Sequence, residues 1–244
     1  MSDKISGRNP VIEALRANRP INKIFLARGT TGSVKEIQAL AKENNIIIQE
    51  VDSEKINSLA ENRNHQGVVA LLAARDYIEF EQLIALSKTK GESPLLILLD
   101  ELEDPHNLGA IIRTVDAVGA HGVIIPKRRS VGLTEAVAKT SAGAVEYVPV
   151  ARVSNLVQAM EYLKEQGFWI AGADATADQT YWQADLKGPM AIVIGSEGKG
   201  IGRLVRENCD FLVKIPLLGN ISSLNASVSA ALILYAWPAI KLFL

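Results

Sequence analysis

The sequence predicts an α/β protein of two domains, and three observations carry that prediction. Short apolar runs alternate with helix-spaced apolar windows along the whole chain, the pattern of strands and helices in succession. One run, Leu95-Leu96-Ile97-Leu98-Leu99, is apolar at every position, as a parallel strand covered on both faces should be. Charge also changes sign along the chain. Residues 1–75 hold 11 Lys+Arg against 8 Asp+Glu, a net of +3, and residues 76–244 hold 15 against 19, a net of −4. The total of −1 excludes a protein coated in basic charge, yet leaves the first part as the better reader of a polyanion.

The elements follow in order. Pro10 to Arg16 reads as a helix, with Pro10 near its first position and Val11 and Leu15 on one face. Lys23-Ile24-Phe25-Leu26-Ala27 is a short strand, and Val34 to Asn44 a helix with Ile37, Leu40 and Ala41 at helical spacing. Ile46-Ile47-Ile48 and Val68 to Leu72 are strands, which makes residues 1–74 a small α/β unit. Residues 75–93, a short helix followed by a polar tail ending in Ser93-Pro94, read as a linker. From residue 94 strands are predicted at Leu95–Leu99, Val123–Ile125, Tyr147-Val148, Phe168–Ile170, Ala191–Ile194 and Phe211–Ile215. Helical windows separate them; in one, Val153, Leu156, Val157, Met160 and Leu163 share a face. This alternation predicts a mostly parallel sheet with helices on both faces over residues 94–244.

Composition removes other classes. At 244 residues, 48% hydrophobic and 22% charged, the chain lies outside the disordered, collagenous and coiled-coil ranges. A single cysteine, Cys209, makes no intrachain disulfide and fits a reduced compartment as a small buried residue. The first residues lack an apolar run, so no signal peptide is expected. Ala226 to Leu244 is the most apolar stretch, but Ser227, Ser229, Pro238 and Lys241 interrupt it, and a buried terminal helix is expected rather than a membrane span. A cytoplasmic protein is expected. His65, His106, His121 and Cys209 have no ligand-like spacing, so no metal is expected.

Ligands of parallel sheets bind beyond the C-terminal ends of strands, and three such ends carry unusual loops. After Leu95–Leu99 comes Asp104-Pro105-His106-Asn107-Leu108-Gly109-Ala110-Ile111-Ile112-Arg113, which reads as a helix cap with a surface arginine or as a site. Asn107 and Arg113 are about one and two-thirds turns apart and do not share a face. After Ala191–Ile194 comes Gly195-Ser196-Glu197-Gly198-Lys199-Gly200-Ile201-Gly202. It fails as a P-loop, because Ile201 and Gly202 stand where Lys and Ser or Thr are required, and as a dinucleotide fingerprint, because Arg203 stands where Gly is required. After Phe211–Ile215 comes Pro216 to Ser227, in which Ser222, Ser223, Asn225 and Ser227 are more polar groups than one helix cap uses. Lys127-Arg128-Arg129 also follows a strand, and reads either as a phosphate contact or as a solvated turn. Trp169, Trp182 and Trp237 read as core or interface residues rather than stacking platforms.

Taken together, the three segments resemble the three motifs of the SpoU (TrmH) family of RNA ribose 2′-O-methyltransferases, within the SPOUT class. The first matches N-x-G-A-I-x-R, the second the G-S/A-E-G loop, and the third I-P-x-x-G-x-x-x-S-L-N-x-S, in family order. The resemblance covers about residues 94–244; Ala226 and Ser229 depart from residues often found there, but neither is an implied catalytic position. Gly7 to Leu15 and His65-Gln66-Gly67-Val68-Val69-Ala70 look like that family's small, ribosomal-protein-like substrate-binding domain. The layout is most similar to the RlmB-type 23S rRNA guanosine 2′-O-methyltransferases.

The resemblance implies a catalytic domain whose C-terminal segment forms a trefoil knot, S-adenosyl-L-methionine as cofactor, RNA as partner (23S rRNA before tRNA) and a homodimer. Cofactor contacts are implied at Gly195, Ile215 and Leu224. Arg113 is implied to act on the ribose 2′-hydroxyl, with Asn107, Glu197, Ser223 and Asn225 as orienting groups. A guanidinium holds its proton, with a pKa above about 12, so Arg113 suits alkoxide stabilisation better than proton abstraction. The intact set argues against a non-catalytic RNA-binding protein, and the failed fingerprint against a nucleotide-dependent oxidoreductase. Val228 to Phe243 is the candidate dimer face.

Overall fold

The computed structural model describes residues 4–30, 32–60, 64–73, 75–89 and 93–242, the last five as backbone. The tail at 90–92, the first three residues and Phe243, all used in the reading above, lie outside them. The chain divides into two compact units: one runs through Asp76 and takes in Gly132–Glu135, and the other holds Tyr77–Val131 and Ala136 onward.

In the first unit β1 (Lys4–Ser6), α1 (Arg8–Arg16), β2 (Ile21–Ala27), α2 (Val34–Glu43), β3 (Ile48–Val51), α3 (Ser53–Leu59) and β4 (Val68–Leu72) follow in order. The sheet order is β1-β4-β2-β3, with β2 and β3 parallel and the other pairs antiparallel. Strand alternation splits the core. Ile24, Leu26, Val68 and Ala70 pack with Val11, Leu15, Ile37 and Ala41 from α1 and α2, while Phe25, Ala27 and Val69 pack with Ile56 of α3. The strand predicted at Ile46 begins two residues later, because α2 ends in a turn there. Asn45 is left-handed at φ 54 and the Ile46 N–H bonds back to the Ala41 carbonyl at 2.7 Å.

In the second unit come α4 (Phe80–Ser87), β5 (Leu95–Leu99), α5 (Pro105–Ala117), β6 (Gly122–Pro126), α6 (Glu135–Thr140, whose first residue counts with the first unit), β7 (Val150–Val153), α7 (Leu156–Glu165), β8 (Trp169–Ala173), β9 (Gln179–Thr180), β10 (Met190–Ile194), α8 (Arg203–Glu207), β11 (Phe211–Lys214) and α9 (Ala226–Leu242). The seven-stranded sheet has the order β7-β6-β5-β10-β8-β11-β9, and every pairing is parallel. Two late strands therefore slot between earlier ones, β10 between β5 and β8, and β11 between β8 and β9. The predicted strand at Tyr147-Val148 is instead the end of a 3-10 turn, Ala144–Glu146, set by left-handed Ala142 and Gly143; the strand starts after Pro149 and takes in Val153. Helix α4 is no free connector: Leu83 and Ile84 are buried in the core with Leu96, Leu98, Ile124 and Met160. Helix α9 buries Ala226, Ala230, Ile233, Leu234 and Trp237 and exposes Val228, Leu232 and Tyr235. Trp237 is core, whereas Trp169 and Trp182 are each 58% exposed in this chain. Among the described residues no helix is long and apolar enough to cross a membrane.

Candidate active site

The site is built at the C-terminal ends of β5, β10, β8 and β11, where parallel sheets leave a crevice. Its floor is the loop after β10. A Cβ at Gly195 would lie 2.0 Å from the Gly200 carbonyl carbon, so only glycine fits. The loop closes on itself: the Ser196 N–H donates to the Gly200 carbonyl at 3.1 Å, and the Gly200 N–H to the Ser196 carbonyl at 2.9 Å. Gly198 and Gly200 hold φ of 78 and 67. These glycines serve a tight backbone fold rather than a phosphate cradle. Asp100, at the end of β5, anchors the far side by accepting from the Gly202 N–H at 2.7 Å. Burial pushes its carboxyl above the usual range, with the Gly202 N–H opposing and Glu101 adding to the rise.

Three polar side chains from distant segments meet beside this loop. Asn107, buried on the first turn of α5, donates from Nδ2 to Glu197 Oε1 at 2.8 Å. Asn225 donates from Nδ2 to Asn107 Oδ1 at 2.9 Å, and also to Glu197 Oε1. The Asn225 Oδ1 faces the other way and caps α9, accepting from the Ser227 N–H at 2.9 Å, the Ser227 hydroxyl at 2.6 Å and the Val228 N–H at 3.3 Å. The start of α9, two amides and one carboxylate thus form a connected array. Both bonds to Glu197 use Oε1, and no hydrogen bond to Oε2 forms among the described residues.

Two cavities flank the array. One, of about 310 Å³, is lined by Gly195, Ser196, Glu197, Ile215, Ser223 and Leu224, together with Asp174 and Thr176 from the end of β8. That size is at the small-ligand scale. The second, of about 270 Å³, is lined by Glu101, Leu102, Glu103, Asp104, Asn107, Ser196, Glu197 and Lys199. Glu197 therefore borders both.

Of the predicted residues, Gly195, Ile215, Leu224, Ser223 and Glu197 line the larger cavity, and Asn107 and Asn225 bond Glu197. Arg113 stands apart: it is exposed on α5, lines neither cavity, and makes no hydrogen bond or ion pair among the described residues. Its six-residue offset from Asn107 turns it away. Sequence reasoning missed the β8 end. There burial would raise the Asp174 carboxyl, but hydrogen bonds from the Thr176 hydroxyl and N–H, with the Arg206 guanidinium at 3.0 Å, hold it below the usual range. The small-residue run Ala171-Gly172-Ala173 before Asp174 was the available signal. Cys209 is half-buried, its thiol donating to the Val205 carbonyl at 3.3 Å. Among the described residues no group of three His, Cys, Asp or Glu side chains is placed to hold a metal.

Comparison with known proteins adds the family. The model for the SpoU rRNA Methylase family matches residues 94–235, and the model for RNA 2′-O ribose methyltransferase substrate binding matches residues 4–78. YacO of Bacillus subtilis (strain 168), named for the TrmH family of tRNA/rRNA methyltransferases, is 51% identical over 234 residues, covering 96% of this chain and 94% of its own. The SpoU methyltransferase AviRb from Streptomyces viridochromogenes, solved with the cofactor AdoMet, shares the fold at TM-score 0.63 and 24% identity, over 98% of this chain and 90% of its own. The A. aeolicus TrmH/SpoU tRNA modifying enzyme aligns at TM-score 0.56 and 26% identity over 67% of this chain and 83% of its own.

Proposed function

Because the chain belongs to the SpoU rRNA methylase family, we propose that it is an RNA methyltransferase that moves a methyl group from S-adenosylmethionine to a ribose 2′-hydroxyl. The observation that carries this reading is the Asn107–Glu197–Asn225 array beside a cavity lined by Gly195, Ile215 and Leu224. The cofactor supplies an electrophilic methyl on a sulfonium centre. The glycine loop fits such a ligand, because a side chain at Gly195 has no room and backbone groups are left to make the contacts.

The chain's own residues do the rest. Gly195, Ile215 and Leu224 hold the cofactor. Glu197, fixed by two amide donors on one oxygen, turns the other toward the reacting groups. Ser223 and Asn107 orient the ribose, and Asn225 keeps Asn107 and Glu197 in register. The resemblance gives Arg113 the role of stabilising the alkoxide that forms when the hydroxyl gives up its proton to water or phosphate, although Arg113 lines neither cavity of this chain. The insertion of β10 and β11 between earlier strands supports the trefoil knot that the resemblance implies. The exposed face Val228, Leu232 and Tyr235 of α9 supports a homodimer. A cytoplasmic location fits an RNA substrate.

The substrate is a guanosine of 23S rRNA. The two-domain layout supports this, with a substrate-binding match at residues 4–78 ahead of the methylase match. The rival is a tRNA ribose, favoured by the likeness to the A. aeolicus enzyme. Mapping 2′-O-methyl sites in total RNA with and without the gene tests the choice. Loss of one guanosine methyl from large-subunit rRNA is expected; loss of a tRNA methyl contradicts it.

A further inference from the structure

The loops after β5 and β6 leave the same end of neighbouring parallel strands, registered at Leu98 and Ile124. The Val131 N–H donates to the Leu102 carbonyl at 2.9 Å, and Arg129 Nη1 donates to Glu101 Oε1 at 2.8 Å. Both members of this ion pair are non-glycine residues in left-handed backbone, with φ 52 at Glu101 and φ 53 at Arg129. Such backbone is uncommon for these residue types and tends to be retained at functional sites. Stability does not explain it here. The side chains are 37% and 76% exposed, and an exposed pair adds little to folding.

The surroundings give the pair a purpose. Glu101 lines the smaller cavity with Glu103, Asp104 and Glu197 against a single cation, Lys199, so that lining is acidic on balance. An RNA strand delivering a ribose there would bring its phosphates against carboxylates. Arg129 neutralises Glu101 and keeps further guanidinium N–H groups free, in the planar fork that suits phosphate. Exposed Arg128 and half-buried Lys127 precede it in the same turn. Arg152 donates to the Lys127 carbonyl at 3.3 Å from the end of β7. Arg128 and Arg129 thus place exposed positive charge beside the acidic rim, on the side away from the β8 and β11 cavity, with Lys127 and Arg152 partly buried behind them.

We propose that Arg129, aimed by Glu101, and Arg128 form the phosphate-binding side of the acceptor cavity, each taking one of two successive backbone phosphates next to the methylated ribose. This rests on the RNA-methylation reading above. The test is the salt dependence of binding of the full chain to a short fluorescein-labelled single-stranded RNA of mixed sequence, with S-adenosylmethionine affinity measured in parallel. Arg128→Ala and Arg129→Ala should each lower the slope of log K against log salt by about 0.7, the value of one phosphate contact on a single strand. Glu101→Gln should keep the slope, and cofactor affinity should not change in any variant. A double Arg128→Ala, Arg129→Ala variant with the wild-type slope overturns the proposal. If Arg129→Ala disturbs cofactor binding as well, Arg129→Lys decides, since its point charge should restore the slope; a slope still lowered overturns the proposal. A wild-type chain that binds no cofactor contradicts the functional reading instead.

Discussion

Glu197 accepts two amide donors on one oxygen and lines both cavities, an arrangement that fixes where its negative charge sits. Glu197→Gln should lower kcat about 10²-fold, the scale of a lost preorganised polar group, with little change in cofactor affinity, as single-turnover kinetics and calorimetry can show. Arg113→Lys keeps the charge but loses the fork, and a fall of similar size is expected; near-normal turnover would mean that the fork has no role. Cys209 is the opposite case, an inert thiol. Burial, and to a smaller degree the carboxylates of Asp210, Asp100 and Asp174 against the opposing Lys164, pushes it from the ordinary 9.0 to about 12. The unfolded thiol loses its proton first as pH rises, so the native state keeps its full advantage below the ordinary value and loses it between there and about 12. Alkaline unfolding of Cys209→Ala should accordingly begin at higher pH than that of the wild type, and the native thiol should resist alkylation at about pH 8.5.

At the scale of elements, the loops after strands were legible because their residue types are odd for their places: glycines without a phosphate motif, and four polar groups around the start of one helix. The links between them were not. Asn225 and Asn107 lie 118 residues apart, and nothing local announces that one amide caps α9 and holds the first turn of α5 at once. The dual role gives a separable prediction. Asn225→Ala should cost about 1 kcal/mol through the lost cap. Asn225→Ser restores a capping oxygen, so thermal unfolding should return close to wild type while turnover stays as low as in the alanine variant. Gly195→Ala has no such partial outcome. The Gly200 carbonyl must move, at a cost of about 3 kcal/mol or more, and cofactor binding should be lost. Elements that escaped the sequence reading were short or poor in apolar residues. β1 has three residues, and α3 buries Ile56 alone, so neither shows a period. The strand expected at Tyr147 failed because left-handed Ala142 and Gly143 turn the chain first, a backbone property that residue type reveals only at the glycine.

At the scale of the whole molecule, the sign change in charge marks a chemical division of labour: net +3 over residues 1–75 and net −4 over 76–244. With so little bulk charge, RNA recognition has to rest on local cations and shape. The proposed homodimer would use the exposed row Val228, Leu232 and Tyr235 on α9, and light scattering at micromolar concentration should give a dimer that Leu232→Asp converts to monomer. Strand order was beyond the sequence. The alternation predicts a parallel sheet, but no local pattern places β10 between β5 and β8. The central claim, transfer of a methyl group to a ribose oxygen, is met most directly by incubating the protein with methyl-labelled S-adenosylmethionine and an unmodified 23S rRNA transcript, then digesting the RNA to nucleosides for mass spectrometry. Label in a 2′-O-methylated nucleoside, guanosine above all, is the predicted result. Label on a base, or cofactor bound with no methyl transferred to any RNA offered, would contradict it.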